Sequence, residues 1–274
     1  MYIAVDIGGT KTLLALFSKR GRLKKRLKMQ SWAEPEKWLS ELNKNLPRIL
    51  PRNRKSVLAV TFSFPGVIEN GHPVRAHNLP KWDGKEIEKK VKELFEKYGV
   101  STPIFYKNDA DLGALYECYK YSGKTLYLTF GTGIGGGIVK DKKLSKESAT
   151  FEPARMSFSY QGKKYDRWEQ IASSKAIRAA NNDLDVRKIW KEDALNDVAC
   201  RISLGLTKLI KDYNPDQIVL SGPIAEIFYG FEYTLRKILI ANFKDEFAVP
   251  PIYPGKKPQE SVIYGAYLYG KSKS

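Results

Sequence analysis

Asp6-Ile7-Gly8-Gly9-Thr10-Lys11-Thr12 is the stretch on which the reading of this chain turns. An apolar run, Tyr2 to Val5, leads into it and a second, Leu13 to Phe17, leads out, which is a strand–turn–strand pattern. Two glycines at the turn remove Cβ atoms, which permits positive φ and lets an anion approach the backbone N–H groups closely. Thr10 and Thr12 offer hydroxyls, Lys11 a positive charge, and Asp6 a carboxylate able to hold a hydrated magnesium ion. A phosphate-binding turn needs these ingredients, and an ordinary hairpin with a Gly-Gly turn uses the same ones.

A second stretch of the same kind follows far along the chain. Thr125 to Phe130 reads as a buried strand, Gly131-Thr132-Gly133-Ile134-Gly135-Gly136-Gly137 as a glycine-rich turn, and Ile138-Val139 as the returning strand. Two such hairpins suggest related half-molecules closing on one phosphate chain. The dinucleotide fingerprint is excluded, because Gly8-Gly9 lacks the third glycine and no helical pattern follows it. No Gly-Lys-Ser/Thr ends either run, so neither is a Walker loop. On these two hairpins the sequence resembles the sugar-kinase, actin and heat-shock-chaperone superfamily, and within it the ROK family of repressors, open reading frames and kinases. The resemblance implies an α/β, two-lobed actin-like (ribonuclease H-like) ATPase fold with its active site in the interlobe cleft.

Composition agrees with such a fold without specifying it. At 274 residues, 42% hydrophobic and 28% charged, the chain has room for two lobes with separate cores. No apolar run approaches the length of a membrane span, and no signal peptide is read, so no membrane partner is expected. Cys118 and Cys200 both fall in helical patterns, which argues for core thiols and a cytoplasmic location. The formal charge of +17 invites a nucleic-acid reading. The basic residues are dispersed, however, and alternate with glutamate as in Lys85-Glu86-Ile87-Glu88-Lys89-Lys90, the signature of a solvated helix face, so no nucleic-acid partner is expected.

Along the chain, strands are predicted over 2–6, 12–18 and 22–29, a helix over 35–46, a strand over 56–62, a loop over 63–71, a helix over 85–98 and a strand over 103–106. A helix opens at Asn108-Asp109 and runs to about 121. After the second glycine turn, 141–167 reads as irregular, followed by helices over 167–180 and 192–212, a strand over 217–220 and a helix to 242. The Pro-rich segment 249–258 precedes a last helix. The β-β-β-α-β-α order begins again near Thr125, so residues 1–107 are assigned to an N-terminal lobe joined by the C-terminal helix 259–274, and residues 108–258 to a C-terminal lobe.

Asp109 is the candidate general base, since it follows a strand and opens a helix and could take a proton from a hydroxyl attacking a γ-phosphate. From spacing alone a plain helix cap is the better reading, and the presence of both glycine hairpins reverses that preference. The resemblance supplies the rest. Asn108-Asp109-Ala110-Asp111 matches three of four residues of the family's Asn-Asp-Ala-Asn segment. The phosphates of ATP would lie on Gly8, Gly9, Thr10, Lys11 and Thr12 and on Gly131, Thr132 and Gly133, with Asp6 ordering Mg²⁺ through water. Ser221-Gly222 stands at the family's adenosine-contacting turn. Asn78, Asn108, Glu152 and Glu169 match its sugar contacts, and Gly265-Ala266 its C-terminal hinge. Arg155 stands where the family's zinc-binding His should be, and Ser159 and Gln161 replace its cysteines, so no zinc is expected. The loop 157–167 is instead expected to be ordered by packing of Phe158, Tyr160, Tyr165 and Trp168. Only five residues precede Asp6, so the DNA-reading helix-turn-helix of the repressor branch is not expected. A Mg-ATP-dependent kinase acting on a hexose or N-acetylhexosamine, as a homodimer, is what the resemblance implies. The alternative is a non-catalytic sugar-binding sensor of the same fold.

Overall fold

The computed structural model describes residues 1–64, 66–76, 81–82, 84–244, 246–257 and 260–274, the side chains of 75 and 76 excepted. The chain divides into two compact units, Met1–Tyr116 with Glu260–Ser274, and Glu117–Gln259. The division falls near the end of the helix that Asp109 opens, so most of that helix goes with the first unit.

The first unit runs β1 (Tyr2–Ile7), β2 (Lys11–Phe17), β3 (Leu23–Gln30), α1 (Pro35–Ile49), β4 (Ala59–Phe64), β5 (Gly66–Glu69), β6 (His72–Ala76), α2 (Gly84–Lys97), β7 (Ile104–Asn108) and α3 (Asp109–Glu117). The second runs β8 (Lys124–Phe130), β9 (Ile134–Lys140), β10 (Lys143–Leu144), β11 (Phe158–Tyr160), β12 (Lys163–Tyr165), α4 (Glu169–Ala172), α5 (Ser174–Ala180), α6 (Glu192–Tyr213), β13 (Gln217–Ser221), α7 (Phe228–Phe243) and β14 (Ile252–Pro254). The last helix, α8 (Ser261–Lys273), lies in the first unit.

One strand plan is used twice. The first sheet has the order β3-β2-β1-β4-β7 and the second the order β10-β9-β8-β13-β14. In each, the first three strands of the unit form an antiparallel meander; β1 then pairs in parallel with β4 and β4 with β7, just as β8 pairs with β13 and β13 with β14. This is the ribonuclease H-like plan, laid down in both halves. The central strands are mostly apolar because both faces are covered; all six residues of β4 are buried, Thr61 and Ser63 included. The edge strand β3 is exposed along most of its length and carries Lys24, Lys25, Arg26 and Lys28, charges that blunt edge-to-edge pairing. Each unit has its own apolar core. Among the described residues no helix is long and apolar enough to cross a membrane.

Several elements differ from the sequence reading, each for a local reason. Helix α1 does not stop at Leu46 but passes through Pro47 to Ile49. Proline cannot donate to the carbonyl four residues back. The Tyr98 hydroxyl donates to that carbonyl instead, at 3.2 Å from Asn43 O. The segment read as a loop at 63–71 carries the end of β4 and the β5–β6 hairpin, turned by Asn70 and Gly71, both at positive φ. Within 141–167, β11 and β12 form a second such hairpin on Gln161 and Gly162. The helix expected over 167–180 is two, because Ser173 is extended and caps α5 by accepting from the Ala176 N–H at 3.1 Å. Helix α3 ends at Glu117, short of 121. The Pro-rich segment supplies edge strand β14, where proline is tolerated.

Candidate active site

In the first unit the candidate residues gather at the carboxyl ends of the parallel strands, where α/β sheets place ligands. Asp6, near the end of β1, is the register partner of Ser63 on β4, and Phe64 is the partner of Asn108 on β7. Asp109 comes next, exposed, as the first residue of α3. Burial pushes the Asp6 carboxyl up from 3.8 to about 6; the adjacent Ser63 hydroxyl pulls it down, and the negative charge of Asp109 adds to the rise. Two carboxylates therefore sense one another at this strand edge. The Ser63 hydroxyl is buried and makes no hydrogen bond of good geometry.

The turn between β1 and β2 is closed by the Gly8 N–H donating to Lys11 O at 3.1 Å. Neither Gly8 nor Gly9 takes positive φ, contrary to the reading of the turn from its glycines. What Gly8 supplies is space, since a Cβ there would lie 2.8 Å from Lys11 O. A Cβ on Gly9 would meet nothing within 4 Å, so the backbone there faces open space, and Thr10 and Lys11 are exposed. Thr12 corrects the sequence reading. It is fully buried, its hydroxyl 2.8 Å from Ser31 Oγ and accepting from Trp38 Nε1 at 2.9 Å, while the Ser31 N–H donates to Thr10 O at 3.0 Å. Thr12 thus holds the turn from beneath rather than facing a ligand.

Asn108 has both ends of its amide engaged. Its Oδ1 accepts from the Ala110 N–H at 2.9 Å, and its Nδ2 donates to Gly66 O at 3.2 Å. The cap of α3 is therefore shared, with Asp109 Oδ1 also accepting from Ala110 N at 2.8 Å. Lys107 and Asp111 flank this corner as an ion pair at 3.6 Å. Asn78 lies outside the described residues.

In the second unit the Gly131 N–H donates to Gly133 O at 2.9 Å, Lys175 N at the start of α5 donates to Gly131 O at 3.3 Å, and Ser174 Oγ donates to Phe130 O at 2.6 Å. These glycines too have ordinary φ, and Thr132 is exposed. Glu169, the first residue of α4, lies against this turn: a Cβ on Gly133 would be 2.5 Å from its Oε2. Its other oxygen pairs with Arg167 at 2.6 Å. Gly222 does need its freedom, with φ of +82° and no room for a Cβ, which would be 2.4 Å from Phe130 O. Ser221 is fully buried with an unpartnered hydroxyl, so it is not itself exposed to a nucleotide. Glu152 and Arg155 are exposed and paired loosely with one another at 3.6 Å on the 3₁₀ turn Pro153–Arg155.

Two features were missed. Ser63 could have been suspected as a polar residue inside an apolar strand. The Ser173-Ser174 pair, which starts α5 and ties it to the glycine turn, is a legible cap signal. Among the described residues no group of three or more His, Cys, Asp or Glu side chains is placed to hold a metal ion.

The xylose repressor of Caldicellulosiruptor bescii is 25% identical over 264 residues, covering 78% of this chain and 63% of the repressor. The kanosamine kinase of Amycolatopsis mediterranei is 30% identical over 144 residues, covering 50% of this chain and 45% of the kinase. The chain thus spans about half to two thirds of the length of these curated relatives. A solved ROK family glucokinase from Streptomyces griseus, in complex with glucose and AMPPNP, superposes with a TM-score of 0.76 at 18% identity over 99% of both chains, which shows a shared fold. The family model described as ROK family matches residues 2–272, and the chain belongs to that family.

Proposed function

We propose that the chain is a kinase that transfers the γ-phosphoryl group of Mg-ATP to a hydroxyl of a hexose or N-acetylhexosamine, with Asp109 as general base. The observation that carries this reading is the juxtaposition of Asp109 and Asp6 at the carboxyl edge of the first sheet, beside an open Gly8–Lys11 turn. Asp109 is exposed at a helix N-terminus, positioned to accept a hydroxyl proton without burying its charge. Asp6, with the Ser63 hydroxyl beside it, fits a hydrated Mg²⁺, which keeps most of its waters and needs few carboxylates. When bound, the ion supplies charge neutralisation at the transferring phosphate. Lys11, Thr10 and the backbone at Gly9 are offered to the phosphates in the first unit, and Thr132 with the Gly131–Gly133 turn in the second; Gly222 is offered to the adenosine. Glu169 is the sugar-contacting carboxylate favoured by its surroundings, because it borders the second glycine turn, whereas Glu152 and Arg155 stand out in solvent. Kanosamine kinase among the relatives and the glucokinase fold support this reading. We take the assembly to be a homodimer, as the family resemblance implies, to be checked by sedimentation.

Similarity to a xylose repressor favours a second reading, a sugar-responsive binding protein without turnover. Coupled measurement of ADP release over glucose, fructose, mannose, xylose and N-acetylhexosamines separates the two. Sugar-dependent release is expected; a sugar that raises the melting temperature while none raises ADP release sinks the kinase reading. Asp109→Asn is expected to keep the sugar-induced stabilisation and to lose about 10²–10⁴-fold in kcat. Unchanged turnover in that variant removes Asp109 from the mechanism.

A further inference from the structure

A half-buried polar cluster on α6 remains unused by the site as described. Asp197 and Arg201, one helical turn apart, pair at 2.5 Å with side chains 25% and 12% exposed. The same guanidinium reaches further: its Nη1 donates to Ile171 O of α4 at 2.9 Å. The backbone carbonyl of Arg201 accepts from Trp168 Nε1 at 3.0 Å. On the other side, the Tyr160 hydroxyl of the β11–β12 hairpin donates to Asp197, and the Arg201 guanidinium lies 5.0 Å from the Tyr160 ring centroid. Helix α4 has only four residues, too few to hold its own orientation by backbone bonds. Besides the core burial of Ile171 and Ala172, it is tied to α6 by Trp168 at one end and by the Ile171 carbonyl toward the other, and both of these bonds reach Arg201.

We propose that Arg201 is a positioning residue that aims Glu169 at the second glycine turn, with Asp197 and Tyr160 locking the guanidinium in place and tying the β11–β12 hairpin to the same post. The geometry requires arginine. One planar fork serves the Asp197 carboxylate through Nε and the Ile171 carbonyl through Nη1, which a single ammonium on a flexible stem cannot reproduce. The three side chains link hairpin, short helix and long helix through hydrogen bonds, an ion pair and the guanidinium–ring contact. This assignment rests on the reading of Glu169 as a sugar contact.

The test uses the full chain with Arg201→Lys, Arg201→Met and Tyr160→Phe, each alone and combined with Glu169→Gln. Sugar affinity is followed by thermal shift over the sugar panel and by sugar KM, and amide exchange by mass spectrometry. Arg201→Lys keeps a charge for Asp197 and guards against outright unfolding. Expected are faster exchange over residues 168–172, at least a tenfold weaker sugar affinity with kcat held within a few-fold, and no further loss once Glu169→Gln is already in place. Equal losses of affinity with and without Glu169→Gln, or unchanged exchange over 168–172, overturn the assignment while leaving the kinase reading intact. A wild-type chain whose affinity for every sugar is unaffected by Glu169→Gln, or that binds none, removes the sugar role of Glu169 and this assignment with it.

Discussion

Gly205→Ala should destabilise this protein, although in most helices the same change stabilises it. Gly205 is a buried residue inside α6, where replacing glycine by alanine ordinarily gains about 1 kcal/mol of backbone entropy. Here an added Cβ would fall 2.3 Å from Cε2 and Cζ2 of Trp168 and 2.5 Å from its Cη2. The indole cannot yield easily. It is fully buried, edge-on to Phe130 at 5.5 Å between centroids and to Phe158 at 6.4 Å, and tethered through Nε1 to Arg201 O. Relief needs a ring shift of about 1 Å, which costs roughly 1–3 kcal/mol of overpacking and about 1 kcal/mol for the hydrogen bond. Set against the propensity gain, the net loss is about 1–3 kcal/mol. Urea denaturation followed by tryptophan fluorescence and far-UV circular dichroism reads it directly. In a Trp168→Phe background the offending indole atoms are gone, so Gly205→Ala should cost less there or turn stabilising. Were Gly205→Ala as stable as the parent with Trp168 present, the seating of the indole on α6 would be misjudged.

Two further outcomes are expected. Asp6 carries a folded-state pKa of about 6 against an ordinary 3.8, so the folded state holds its proton more tightly and the stability present below pH 4 is lost as pH rises through 6. Asp6→Asn should abolish that slope and be more stable than wild type at pH 7.5 by about 2–3 kcal/mol, converging near pH 4; a gap between the two that does not change with pH refutes this. Thr12→Val removes the acceptor of Trp38 Nε1 and the partner of Ser31 Oγ, both buried, and should cost about 1–3 kcal/mol in chemical denaturation. Thr12→Ser should recover most of that loss, and a valine variant of wild-type stability would show the hydroxyl network to be incidental.

The sequence by itself determined whatever depends on neighbours a few residues apart. The apolar runs flanking Gly8-Gly9 and Gly131–Gly133 fold as strands because continuous burial leaves no alternative, and the repeated order of elements made the doubled sheet plan legible. Asp109 at a strand–helix junction was visible for the same reason. Only the tertiary structure decided the rest, because the deciding partner lies far away along the chain. Helix α1 survives Pro47 since Tyr98, from beyond α2, donates to the stranded Asn43 carbonyl. Thr12 and Ser221 look like ligand-facing hydroxyls in sequence, yet one is claimed by Trp38 and Ser31 and the other is sealed beneath Gly255. Glu152 and Glu169 both match the family's sugar contacts in sequence, yet Glu152 stands exposed beside Arg155 while Glu169 lies against the Gly131–Gly133 turn. Local pattern fixes which residues can form an element; the long-range hydrogen bonds that satisfy its buried ends fix where it stops and which side chains remain for chemistry.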